Sequence, residues 1–313
     1  MPPRRILSLW FPPLAAERIL RRSPDLADQP LAIVADRRGA LLLASLSGAA
    51  AGRGLRLGMA LGDARAICPT LVTRPDDPVG DVDFLAALRR WAGRFSPWVA
   101  VEGADALILD ITGCAHLFGG EAALAEVVAA DAAGLGLSLG LGIADTVGAA
   151  WAVARYPGAG ARSGFAGDAI DQEARATRSR AQKRGWERGD TPPLGTGVGA
   201  EVPRIVPPEQ TRAHLGPLPV AALRLSPVEV RMLNDLGLRR IEDLLLLPRA
   251  QLGRRAGPDV LRRIDQTFGK VAEPVSAARP PHVFALRLTL PEPVGLLSDV
   301  MAGLDRLLAP LCA

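Results

Sequence analysis

Up to about Pro157 the apolar positions switch repeatedly between two spacings, and the switching predicts a mixed fold. Ile6, Leu7 and Leu9 make a short apolar run within Arg5–Trp10, as in a buried strand, and Pro12-Pro13 stops it. Leu14, Ile19 and Leu20 then recur at helical spacing over Leu14–Arg22. Leu31–Ala35 reads as a second strand, and Asp36-Arg-Arg-Gly39 as a turn into a third at Ala40–Ser45. Met59–Ile67 reads as a helix ending at Cys68-Pro69. Asp81–Phe95 reads as a longer one, with Phe84, Leu85, Leu88, Trp91 and Phe95 along one face. Strands at Val99–Glu102 and Ala106–Ile111 flank a turn at Gly103; a helix at Glu121–Ala132 and a strand at Leu137–Ile143 follow. This order predicts an α+β domain with helices over one face of a mostly antiparallel sheet.

The pattern breaks near Pro157. Gly158–Val202 is rich in Gly, Arg, Asp, Thr and Pro, which predicts a flexible insertion over about 158–202 with at most one short helix. Its basic run, Arg175, Arg178, Arg180, Lys183, Arg184 and Arg188 against Glu187 alone, reads first as a solvated loop and second as a nucleic-acid contact. After a short strand at Arg204–Pro208 come short helices at Leu215–Leu223, Pro227–Leu236, Ile241–Leu245, Arg249–Arg254 and Pro258–Phe268. Ser226-Pro227 suits a helix start, and Gly237 a left-handed helix end. The tail reads as a strand at Val283–Leu290 and a helix at Val294–Leu308, a pair too small to bury its own apolar face.

Composition narrows the class. A chain of 313 residues has room for two or three cores. No run of about 20 apolar residues suggests a membrane span, and the N-terminus does not read as a signal peptide. Cys68, Cys114 and Cys312 are odd in number and far apart, which suits neither a disulfide framework nor a zinc site and predicts a reducing cytoplasm. His116, His214 and His282 are isolated, so no metal is expected from them, and Trp91, Trp98 and Trp151 read as core. Net charge is +4, with eleven basic and seven acidic side chains between Pro207 and Lys270. That excess serves a solvated helical surface or a phosphate-contacting one equally well.

Three stretches together carry a resemblance. Gly54-Leu-Arg-Leu-Gly-Met-Ala-Leu-Gly-Asp-Ala-Arg-Ala-Ile-Cys-Pro-Thr-Leu-Val72 is similar to a segment that reads G-V-R-x-G-M-x-x-x-x-A-x-x-x-C-P-x-L. Phe95-Ser-Pro97 with Gly103-Ala-Asp-Ala-Leu-Ile-Leu-Asp-Ile-Thr-Gly113 is similar to S-x-D-E-x-x-x-D-x-T. Leu215-Gly-Pro-Leu-Pro-Val220 with Leu236-Gly-Leu238 completes the set. Over about residues 5–310 the chain resembles the Y-family (lesion-bypass) DNA polymerases, in their catalytically inactive, ImuB-type form. The resemblance implies a palm over 1–208 that contains fingers at about 13–72 and the insertion at about 158–202. It further implies a helical thumb over 209–271 and the start of a truncated little-finger domain over 280–313.

In active members of the family, carboxylates hold two magnesium ions. By the resemblance Ser8 stands at the first ligand position, Asp105 at the second and Ala106 at the third, with Trp10 in place of a further aspartate and Asp110 as a structural residue. No Asp or Glu lies between Met1 and Glu17 that a shifted alignment would recruit. The positions that would grip the triphosphate are Gly48, Ala51 and Val147, and the one that would sense the sugar is Pro13. The implied protein is a pseudo-polymerase without metal or other cofactor. Its expected DNA contacts are weak and sequence-independent, through Arg224, Arg239, Arg240, Arg254 and Arg255. Its implied partners are the sliding clamp, an error-prone C-family DNA polymerase and a RecA-like, ImuA-type protein. Rival readings are an active lesion-bypass polymerase with an unusual metal site, and a scaffold that touches only proteins.

Overall fold

The computed structural model describes residues 4–156, 204–275, 288 and 296–311, in two units, Met1–Ala277 and Ala278–Ala313. The insertion expected at 158–202 and the strand expected at Val283–Leu290 lie outside the described residues, apart from Leu288.

The first unit is organised on a five-stranded sheet: β1 (Ile6–Trp10), β5 (Val99–Glu102), β6 (Ala106–Asp110), β7 (Gly140–Ala144) and β8 (Arg204–Ile205), in the order β5-β6-β1-β7-β8. All pairings are antiparallel except β7–β8. A smaller sheet, β3-β2-β4, joins β2 (Leu31–Arg37), β3 (Ala40–Leu46) and β4 (Val72–Pro75). It carries α1 (Leu14–Arg22) on one side and α2 (Gly48–Gly52) and α3 (Leu61–Ile67) on the other.

Helices cover both faces of the large sheet, where one covered face was expected. Leu7, Leu9, Leu107 and Leu109 pack under α4 (Pro78–Ala92) and α5 (Glu121–Gly134). Ile6, Ile108 and Ala144 pack under α6 (Val147–Arg155). Strands buried on both faces read as continuous apolar runs, so the pattern did not announce the second layer. Glycines on β7 make room for α6. A Cβ at Gly140 would stand 2.5 Å from the Ala154 carbonyl oxygen and 2.9 Å from the Trp10 ring; at Gly142 it would stand 2.5 Å from the Ala150 carbonyl oxygen.

The helical region contains α7 (Thr211–Leu215), a 3-10 turn at Val220–Leu223, α8 (Pro227–Asp235), α9 (Ile241–Leu246) and α10 (Arg249–Thr267). The single helix expected over Leu215–Leu223 is two pieces, because Pro217 and Pro219 lack the N–H that would continue it. Ser226 and Glu229 form a reciprocal capping box at the start of α8. Gly257, at φ 86°, breaks α10 before Pro258, between the two helices expected there. This region shares one apolar core with α6, through Leu215, Leu218, Val220, Leu233, Ile241 and Val260. In the second unit α11 (Leu297–Leu311) leaves Leu297, Met301, Leu304 and Leu308 exposed. No helix among the described residues is long and apolar enough to cross a membrane.

Candidate functional site

The strand register brings the predicted positions together. On β1, Ser8 stands opposite Ile108 and Gly142, and Trp10 opposite Ala106 and Gly140. The Phe11 N–H donates to the Asp105 carbonyl at 2.8 Å, which sets Asp105 beside the end of β1. Ser8, Asp105 and Ala106 therefore occupy one corner of the sheet.

Each is occupied in its own way. Ser8 is wholly buried, and its hydroxyl has no hydrogen-bond partner. Ala106 packs its methyl against Trp10 and Ala154. One Asp105 carboxylate oxygen accepts the Trp10 indole N–H at 2.8 Å and the other accepts from Arg155 at 3.3 Å. The Arg155 guanidinium lies 5.2 Å from the centroid of Trp10 and 4.3 Å from that of Trp151. Burial pulls its pKa down to about 10, with Asp105 and Glu102 opposing the drop. Asp110 accepts from Arg4 at 3.0 Å and from the Thr112 N–H at 3.0 Å. Burial pushes its carboxyl up, but the bonds from Thr112 and Arg4 outweigh that and hold it below the usual carboxylate range.

This donor set does not fit a pair of magnesium ions. Magnesium takes hard oxygen ligands in near-octahedral order, and this corner offers one carboxylate already bonded to a cation, one buried hydroxyl and one methyl. Among the described residues no group of three or more His, Cys, Asp or Glu side chains is placed to hold a metal.

The positions assigned to nucleotide contacts carry no polar side chain. Pro13 is buried at the start of α1, Gly48 and Ala51 lie on α2, and Val147 opens α6 with its side chain in the core shared with the helical region.

The arginines divide. Arg239, Arg240, Arg254 and Arg255 are exposed; Arg240 approaches Glu242 at 3.4 Å, and the other three form no ion pair among the described residues. Arg224, expected at a phosphate, is turned inward instead. It donates to Glu102 at 2.8 Å and to Glu273, and its side chain is only 9% exposed. The sequence reading passed over Arg155, Glu102 and Glu273. Trp151 and Arg155 stand four residues apart, the spacing that shares one helical face, and that was the available signal.

Residues 9–155 match the impB/mucB/samB family. Protein ImuB of Caulobacter vibrioides (strain NA1000 / CB15N) is 36% identical over 260 residues, which is 83% of this chain and 47% of that protein. Its counterpart in strain ATCC 19089 / CIP 103742 / CB 15 aligns with the same identity and coverage. The chain is an ImuB-type, Y-family polymerase-like protein. It spans about half the length of these curated relatives. Among solved structures, an insertion ternary complex of Dbh DNA polymerase matches with a TM-score of 0.63 and 17% identity, over 87% of this chain and 69% of that one. DinB from Sulfolobus solfataricus matches with a TM-score of 0.59 and 16% identity, over the same shares. The fold is that of a Y-family polymerase, which matches the α+β architecture expected from the sequence.

Proposed function

We propose that the chain is a non-catalytic, polymerase-like accessory factor in damage-induced mutagenesis and translesion DNA synthesis. On this reading it helps to bring an error-prone C-family polymerase and a RecA-like, ImuA-type partner to the sliding clamp, and the chemistry belongs to the partner polymerase. The observation that carries the reading is the corner of Ser8, Asp105 and Ala106. Its one carboxylate is already bonded to Trp10 and Arg155. Losing even the supporting contacts around a metal costs about 10–100-fold, so the loss of two ligands leaves no measurable turnover. The regions 1–208 and 209–271 act as palm and thumb, and 280–313 as the start of a little finger.

DNA is held, weakly and without base preference, by the exposed arginines Arg239, Arg240, Arg254 and Arg255. Phosphate contacts position a duplex but do not read it. Three or four such contacts make affinity fall roughly as the third power of salt concentration.

Two measurements test the proposal. Primer extension with magnesium or manganese should be absent, and extension that disappears on Asp105→Asn would make the chain an enzyme. Anisotropy on primer–template and random duplex should show equal, salt-sensitive binding that weakens in Arg254→Ala/Arg255→Ala. No binding even at low salt would leave a scaffold for proteins alone.

A further inference from the structure

Four side chains at the edge of the candidate site form a continuous stack. The Arg155 guanidinium lies 5.2 Å from the Trp10 ring and 4.3 Å from the Trp151 ring, and the Arg224 guanidinium lies 6.0 Å from Trp151 on the way into the helical region. Aromatic and cationic groups thus alternate, the arrangement in which a planar guanidinium is best received. Three carboxylates hold the stack in place. Asp105 binds Arg155, while Glu102 on β5 and Glu273 beyond α10 bind Arg224. Arg263 on α10 adds a contact to Glu273 at 3.4 Å. The Arg155 and Arg224 side chains are only 7% and 9% exposed, where a cation is costly unless it is paired.

The backbone supplies an independent observation. Arg224 closes the 3-10 turn at Val220–Leu223 with φ 59°, in the left-handed region. Any residue with a Cβ is strained there and glycine is not. Such strain persists where the surroundings over-determine it, and here they are the partners of the guanidinium.

We propose that Trp10, Arg155, Trp151 and Arg224 form a latch that holds the helical region against the five-stranded sheet at one orientation, with Asp105 and Glu102 as its anchors on the sheet side. The shared apolar core grips the base of the helical region, and the latch grips the side that faces the candidate site. The acidic groups left in that corner thereby become structural anchors. The latch is independent of the accessory role proposed above, since an active enzyme or a protein-only scaffold would carry it equally.

Hydrogen exchange by mass spectrometry on the full chain tests this with Arg224→Gly, Glu102→Gln, Arg155→Met and their pairs. Arg224→Gly is the decisive variant, because glycine relieves the left-handed backbone; without a latch it leaves the helical region as protected as before, or more so. With the latch, amides of Val220–Asp235 exchange at least about tenfold faster while Leu107–Leu109 on β6 keep their protection. Glu102→Gln gives the same pattern more weakly, and Arg155→Met/Arg224→Gly goes little beyond Arg224→Gly alone, as members of one unit do. Unchanged or slower exchange in Arg224→Gly overturns the proposal. So does equal acceleration in β6, which marks a general loss of stability, and so does strict additivity in the pair. Should Arg155→Met fail to fold, Glu102→Gln/Arg224→Gly replaces it under the same criterion.

Discussion

Leu7 and Leu9 leave β1 on one side and Ser8 and Trp10 on the other, and the two sides are built from different chemistry. The first side is filled by Leu85, Leu88, Leu124 and Val128 from α4 and α5, and packing alone accounts for it. The second holds a buried hydroxyl without a partner, a carboxylate shared between an indole and a guanidinium, and two arginines stacked on tryptophan. Sequences that specify one structure agree with themselves at every level except where something beyond stability has shaped them. Within β1 that exception falls on the side of Ser8 and Trp10.

The largest effect belongs to the apolar face. Leu9→Ala should cost about 3 kcal/mol in urea unfolding, because the cavity it leaves lies in a close-packed layer. A loss well under about 1 kcal/mol would show that this face is looser than its burial implies and would blur the contrast.

Glu17 tests whether the apolar side tolerates a charge on its rim. Its two oxygens accept the Ser138 N–H at 2.9 and 3.0 Å, beside Leu137 of that core, and it forms no ion pair among the described residues. Burial pushes its pKa up to about 7, against the bond from Ser138 and the charge of Arg21. A carboxyl whose folded pKa lies above its unfolded one weakens the fold as pH rises from about 4.5 to about 7, and by a constant amount above that. Glu17→Gln should therefore gain on the wild type by up to about 3 kcal/mol at pH 8 and by almost nothing at pH 4. Parallel stability curves for the two proteins from pH 4 to 8 would refute the assignment.

The smallest effect is a gain. Ser8→Ala removes a buried hydroxyl that bonds to nothing, so it should raise stability by about 1 kcal/mol. A clear loss on thermal melting would mean that the hydroxyl has a partner in solution and that the two faces differ less than described.

The sequence was legible where residues are large and local. Ile6–Trp10, Leu14–Arg22 and Ala106–Asp110 stand close to where the apolar runs put them. Helix α6 was not legible. Its buried side is Ala149, Ala150, Ala152 and Ala154, which leave no periodic signal of large apolar groups. With α6 unseen, Arg155 and Trp151 had no location, and the partners of Asp105 could not be named. Arg224 was misjudged for a related reason. A thumb-like basic excess does not say which arginines face inward, and Glu102 and Glu273 are distant from Arg224 in sequence.

Trp10 has a consequence for how the protein can change over generations. Its ring packs on Ala106 and Ala154 and lies close over Gly140, so the space beside Ala106 is filled. A carboxylate arriving at position 8 by one substitution would be wholly buried, on the strand face it shares with Trp10, while the Arg155 guanidinium is already bonded to Asp105. Carriers of that single change would fold worse before they gained anything. A second carboxylate in this corner therefore requires coordinated replacements at several positions, and Trp10 is the largest of the groups that would have to give way.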